Sequence, residues 1–189
     1  NENFLAYMYV FGYDNDAESV KLIGSGEKEP IHFNMGIEIG KRLGNNNLLL
    51  NAYMKNIILY SSLGCYQYVR EMYEKRLQII DKDKPVRIAH TCVGLGYNAI
   101  ILEDYEKADE YFKKGLEILI ENKRAEDVAE TLYNMFTNYY VAGLNEKVIE
   151  CIELLLKVMK FIHIQGLRIC NTSKMYGILA LAYYKQGQY

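Results

Sequence analysis

The sequence predicts an all-α chain, a solenoid of antiparallel helix hairpins, on three observations. Short turn motifs recur: Gly64-Cys65-Tyr66, Glu103-Asp104-Tyr105, Gly143-Leu144-Asn145 and Gly187-Gln188-Tyr189. Their last residues are 39, 40 and 44 positions apart, a period that belongs to stacked helical repeats. Large apolar residues flank each turn at intervals of three and four, which places them on one helical face. Only two of the 189 residues are proline, so long helices meet few breaks.

The elements follow from the N-terminus. Residues 13–28 contain Asp14, Asn15, Asp16, Gly24, Ser25 and Gly26 and read as an irregular connection around a short helix. A degenerate helical unit including Phe33–Leu43 completes a first region, 1–45, and Gly44-Asn45-Asn46-Asn47 marks a turn. Four repeats are then expected at 46–84, 85–124, 125–165 and, truncated, 166–189. Helices are expected over 31–43, 46–62, 66–81, 86–102, 105–122, 125–142, 145–163 and 170–186. Asp83 before Pro85 signals a helix start, since proline is tolerated in the first turn. Residues Ile164–Arg168 account for the longest spacing, as a longer loop or an extra helical turn.

First helices carry Tyr53, Ile57 and Tyr60; Cys92, Gly96 and Ala99; Leu132, Phe136 and Tyr139; and Tyr176, Ala180 and Tyr183. Second helices resume with Val69 and Tyr73, Ala108 and Phe112, and Val148 and Ile152. Gly96, Ala99, Ala108 and Gly115 stand where paired helices must approach closely.

These residues resemble the tetratricopeptide repeat. Its unit joins a first helix of the pattern large-x-x-Leu-Gly-x-x-Tyr to a second of Tyr-x-x-Ala-x-x-x-Phe-x-x-Ala. The fullest copy runs Cys92, Leu95, Gly96, Ala99, Tyr105, Ala108, Phe112, Gly115, and the likeness spans about residues 46–189. No Trp occupies the first large position, and the period exceeds the family's usual ~34. In this it is similar to the divergent, long-helix repeats of bacterial sensor and regulator proteins. The resemblance implies a right-handed superhelix whose first helices line a concave groove. Carried over position by position, that groove takes Asn51, Met54, Lys55 and Ile58; His90, Val93 and Tyr97; Glu130, Tyr133, Asn134, Thr137 and Tyr140; and Lys174, Leu181 and Tyr184. Asn51 and Asn134 suit a peptide backbone as joint donors and acceptors. Tyr97 and Tyr140 offer apolar area with a polar tip. The basic and Asn residues do not line up as the family's clamp for acidic C-terminal peptides.

Composition removes other classes. The net charge of −2 lacks the basic footprint of a nucleic-acid binder, so no nucleic acid is expected as partner. No apolar run reaches ~18 uncharged residues, so no membrane span is expected. Cys65, Cys92, Cys151 and Cys170 are widely spaced and read as reduced, small apolar fillers, which favours a cytoplasmic setting. His32, His90 and His163 have no Cys or Glu at metal-ligand spacing, so neither metal nor other cofactor is expected. Gly94-Leu95-Gly96 lies within a helical pattern and reads as close packing rather than a dinucleotide loop. Glu106, Asp109, Glu110, Lys113 and Lys114 pair at i,i+4 on a solvated face, as Asp109–Lys113 and Glu110–Lys114. Ser173 lacks a base and a nucleophile motif. No catalytic residue, and no enzyme activity within this chain, is expected.

The expected function is therefore binding of a protein or peptide in the groove. The alternatives are the sensory or dimerising part of a bacterial signalling protein, such as a diguanylate cyclase with its output domain beyond residue 189, or the peptide-binding part of a pheromone-responsive transcription regulator. The last helix is expected to leave Leu179 and Tyr183 uncovered. A homodimer through the terminal repeats, or chain continuing past Tyr189, would cover them.

Overall fold

The computed structural model describes residues 31–161, 172–185 and 187, with side-chain surroundings over 35–160 and 175–185. Among these residues every regular element is a helix: α1 Ile31–Arg42, α2 Asn46–Ser62, α3 Tyr66–Ile79, α4 Pro85–Ile101, α5 Tyr105–Glu121, α6 Ala125–Val141, α7 Asn145–Phe161 and α8 Thr172–Lys185. The expected irregular stretch 13–28 and the extra residues at 164–168 lie outside the described residues.

Local chemistry sets the boundaries. Asn45 caps α2, its side-chain oxygen accepting from Leu48 N at 3.1 Å and so satisfying one of the orphan amides of the first turn. Pro85 occupies the first turn of α4, where its missing N–H costs nothing. The α2–α3 turn closes with Gly64 N on Ser61 O and Cys65 N on Tyr60 O, the paired bonds of a left-handed helix cap. Gly64 takes φ +74° there. Glu103 (φ 59°) and Lys123 (φ 57°) hold the same conformation without being glycine, a local strain on the order of 1–3 kcal/mol each.

Each helix packs on its neighbours in sequence, and α4 also touches α6; among the described residues α1 reaches no helix beyond α2. Small residues allow the close approaches. A Cβ on Gly96 would stand 2.7 Å from the Phe112 ring, and one on Gly115 2.8 Å from Val93 Cγ2. Thus α4 and α5 interlock, as the positions of Gly96 and Gly115 in the sequence anticipate. Ala108, expected at such a contact, is fully buried.

The buried side chains form two clusters. One, from α1 to α3, is built on Leu49, Tyr53, Ile57, Val69 and Met72. The larger runs from α4 to α8 through Phe112, Leu119, Leu132, Phe136, Tyr139, Ile152 and Leu155.

Two expectations about surfaces change. Asp109 does not serve Lys113; it accepts from Tyr139 Oη at 2.8 Å and Lys147 Nζ at 2.6 Å. Partners on α6 and α7 outcompete an exposed same-helix lysine because they are held in place by packing. Leu179 and Tyr183 are half-covered, with Leu179 against the larger cluster and Tyr183 donating to Glu153. The large apolar residues of α8 left exposed are Tyr176, Leu181 and Tyr184.

Candidate functional site: the face of the even-numbered helices

The helices that begin each hairpin are α2, α4, α6 and α8, and the candidate residues lie on them. Side chains link α4 to α6 and α6 to α8. Tyr97 of α4 donates its phenol to Thr131 O of α6 at 3.3 Å and also bonds the Asn134 side chain. Its ring stands edge-on to Phe112, with centroids 5.0 Å apart. Burial, more than that bond opposes it, pushes the Tyr97 phenol well above the ordinary tyrosine range, so it stays a neutral donor. At the start of α4, His90 Nε2 lies 3.8 Å from Asp127 Oδ2 of α6, a carboxylate already gripped by Arg124 Nε at 2.6 Å. Further along, Lys185 of α8 places its ammonium 5.8 Å from the centre of the Tyr140 ring on α6, within cation–π range.

The remaining residues of α6 fill out this face. Glu130 is exposed. Tyr133 is half-buried, edge-on to Phe136. Asn134 is half-buried, and its backbone oxygen accepts from both Thr137 Oγ1 and Asn138 Nδ2. The Asn134 side chain thus has the neighbouring Tyr97 phenol as a partner, while Thr137 is spent on its own helix. On α2, Asn51 and Ile58 are exposed and Met54 and Lys55 half-covered. Among the described residues the backbones of α2 and α4 do not come together, nor do those of α6 and α8; α6 and α8 meet through Lys185 and Tyr140. On α8, Leu181 and Tyr184 are exposed, and the Lys174 side chain lies outside the described residues.

Val93 departs from its expected place. It is 8% exposed and packed beneath Gly115 of α5. The missing Cβ at Gly115 draws the valine into the hairpin interior, so it lines no open surface.

Other polar residues of interest lay outside the sequence reading. Asn98 of α4 donates to Tyr66 O, at the start of α3, at 3.0 Å. Arg70 of α3 bonds Asp104, between α4 and α5, at 3.2 Å. Arg76 of α3 carries enclosed nitrogens without partners. Only Arg76 had a signal in the sequence: it follows Val69, Met72 and Tyr73 on an apolar stripe.

Among the described residues no three His, Cys, Asp or Glu side chains are grouped to hold a metal, and no helix is long and apolar enough to cross a membrane. Cys65, Cys92 and Cys151 are free thiols. Cys92 and Cys151 are buried as fillers, whereas Cys65 is exposed in a turn. Burial, followed by the charges of Glu150 and Asp109, pushes the Cys151 thiol up to about 12, which keeps it unreactive.

No protein-family model matches the chain, and no curated protein matches it. Among solved structures the chain is similar to the crystal structure of BtubC (BKLC) from P. vanneervenii. The TM-score is 0.63 at 16% identity, over 97% of this chain and 85% of that one. At that identity the likeness shows a shared fold.

Proposed function

We propose that the chain is a non-catalytic, tetratricopeptide-like scaffold that binds a protein or an extended peptide along the face of α2, α4, α6 and α8. In this reading the hairpins form a right-handed solenoid with that face concave. The observation that carries it is the direct succession of α4, α6 and α8 through Tyr97–Thr131 and Tyr140–Lys185. That succession sets half-buried aromatic rings, amides and one carboxylate on successive first helices. Such a set suits an extended chain, since rings supply area and amides pair with backbone groups.

The test is selection of peptides from a random displayed library, followed by calorimetric titration. Asn134→Ala and Tyr140→Ala should each weaken a selected peptide by roughly 1–2 kcal/mol. Lys113→Ala, on the exposed side of α5, should leave it unchanged. Equal affinity for all four proteins would remove this face from consideration.

A second reading, the dimerising part of a bacterial signalling protein, is favoured by the exposed Tyr176, Leu181 and Tyr184 of α8. It requires a concentration-dependent dimer in light scattering that Leu181→Glu abolishes. A monomer at all concentrations counts against it.

A further inference from the structure

Helix α8 turns one side to the larger cluster, where Met175 and Ala182 are fully buried. Its other side carries Tyr176, Gly177, Ala180, Leu181 and Tyr184, all exposed. Steps of three and four residues place Gly177, Ala180, Leu181 and Tyr184 on one helical face. No charged residue occurs from Tyr176 to Tyr184, so covering this face desolvates no charge. The turn register aligns Tyr176 and Ala180 with Leu132 and Phe136 of α6 and with Cys92 and Gly96 of α4. Leu132, Phe136 and Cys92 are at most 1% exposed, whereas Tyr176 is 55% exposed. In α4 the cover is the following antiparallel helix, since Phe112 of α5 lies across Gly96.

Glycine inside a helix is destabilising relative to alanine unless it permits a close approach. Elsewhere in the chain it does. Gly40 lies against Leu49, Gly94 against Tyr73, Gly96 against Phe112 and Gly115 against Val93. At Gly177 a Cβ would meet nothing within 4 Å. The α4–α5 seam shows how two such glycines are used together. It is reciprocal: α4 offers Gly96 to Phe112, and α5 offers Gly115 to Val93, in opposite chain directions.

Helix α8 holds both halves of that arrangement, two small residues followed by two large ones. Laid antiparallel on a copy of itself, with a two-fold axis between residues 180 and 181, it sets large against small at every step. Tyr184 falls on the partner's Gly177 and Leu181 on the partner's Ala180, and the axis repeats both contacts. A parallel pair would set Tyr184 on Tyr184 and leave a void at Gly177, against the packing density of protein interiors.

We propose that this face of α8 is a homodimer interface, occupied by α8 of a second copy in that antiparallel register. The proposal rests on the dimerising reading given above and adds to it the partner element and the facing residues. A helix of 14 residues is about 21 Å long. Two of them bury less than the ~1,200 Å² of a standard interface, so the dimer is weak and governed by concentration.

The experiment is sedimentation equilibrium of the full chain over a roughly hundredfold range of concentration. The parent should dimerise, and Leu181→Glu should not. Gly177→Glu and Tyr184→Lys should each raise the dimer Kd at least roughly tenfold, because both facing positions are altered in each homodimer. Both positions are exposed, so the fold of the monomer is unaffected. Mixed in equal amounts, the two variants should associate at least roughly tenfold more tightly than either alone. One contact then becomes an ion pair, and the other keeps Tyr184 on the partner's Gly177. If the parent dimerises and Leu181→Glu abolishes the dimer, but mixing restores nothing, the antiparallel register is overturned and the dimerising reading stands. A parent that stays monomeric throughout overturns both and leaves this face to a helix of another protein.

Discussion

The two apolar clusters hold equivalent positions but join their neighbours by different chemistry. In α1–α3, Val69 fills the fourth residue of a second helix and is 2% exposed; Ala108 and Val148 fill the same position in α5 and α7 and are fully buried. Inside the hairpins the repeat is therefore uniform. Between hairpins it is not. The junction of α5 with α6 and α7 ties Tyr139 and Lys147 to Asp109, and that of α7 with α8 ties Tyr183 to Glu153. The α3–α4 junction instead rests on Asn98 with Tyr66, Arg70 with Asp104, and the unanswered Arg76. A repeat period thus specifies where side chains stand, whereas the junction chemistry is free to vary, and with it the local stability.

The sharpest way to separate the regions is a charge at the common position. Ala108→Arg must bury an unpaired cation in the larger cluster and should cost about 4 kcal/mol or more. Val69→Arg should do similar damage, but confined to α1–α3. Circular dichroism melts should show Val69→Arg losing an early fraction of helix while the remainder unfolds near the parent temperature. Complete unfolding at one lowered temperature in both variants would merge the two clusters into one.

Phe112→Ala comes next, at roughly 3–5 kcal/mol by denaturant titration. Its ring fills the space left by Gly96 and touches Tyr97 and Tyr139. A cost under about 1 kcal/mol would mean that α4 and α5 do not interlock as described.

Tyr139→Phe should cost less, about 1.5 kcal/mol, because Asp109 keeps Lys147 when the phenol is lost. The same residue carries a pH signature. Burial first, then the bond to Asp109, raises the Tyr139 phenol above its ordinary range. The unfolded chain therefore ionises this tyrosine first, from pH ~10 upward. The stability from keeping it neutral is complete below that pH and is lost as pH rises further. Cys151, raised by burial, acts in the same direction. Denaturation midpoints between pH 8 and 11 should fall, and fall less steeply in Tyr139→Phe. Parallel slopes would deny the phenol that role.

The smallest effect is a gain. Glu103→Gly should add about 0.5–1 kcal/mol, as relief of a left-handed glutamate exceeds the entropy glycine loses on folding. A loss would mean that the Glu103 side chain contributes more than the strain removes.

Much of this was legible in the sequence because turns and hairpin interiors are local. The expected helices match those found to within one or two residues wherever the structure describes both ends, since each turn repeats the motif that the Tyr66, Tyr105 and Asn145 register exposes. The candidate face was legible in part. Tyr97, Asn134 and Tyr140 stand half-buried on α4 and α6 as expected, with Tyr97 bonded to α6 and Tyr140 beside Lys185 of α8. Val93 was misplaced because its burial depends on a missing Cβ at Gly115, a fact of the opposite helix. Asp109 was misassigned because Lys147, 38 residues away, is invisible to a rule that looks four residues along. Arg76 shows as a charge on an apolar stripe, but the absence of a partner is a property of the packed chain alone.

Each helix is held by its neighbours in sequence, and the junction between α3 and α4 separates the two apolar clusters. Native-state hydrogen exchange measured by peptide tests it most directly. The slowest exchange should fall in α4–α7, with a separate, faster opening shared by α1–α3 and the step between peptides on either side of Asp81–Lys84. Uniform protection from α2 to α7, all lost in a single opening, would contradict it.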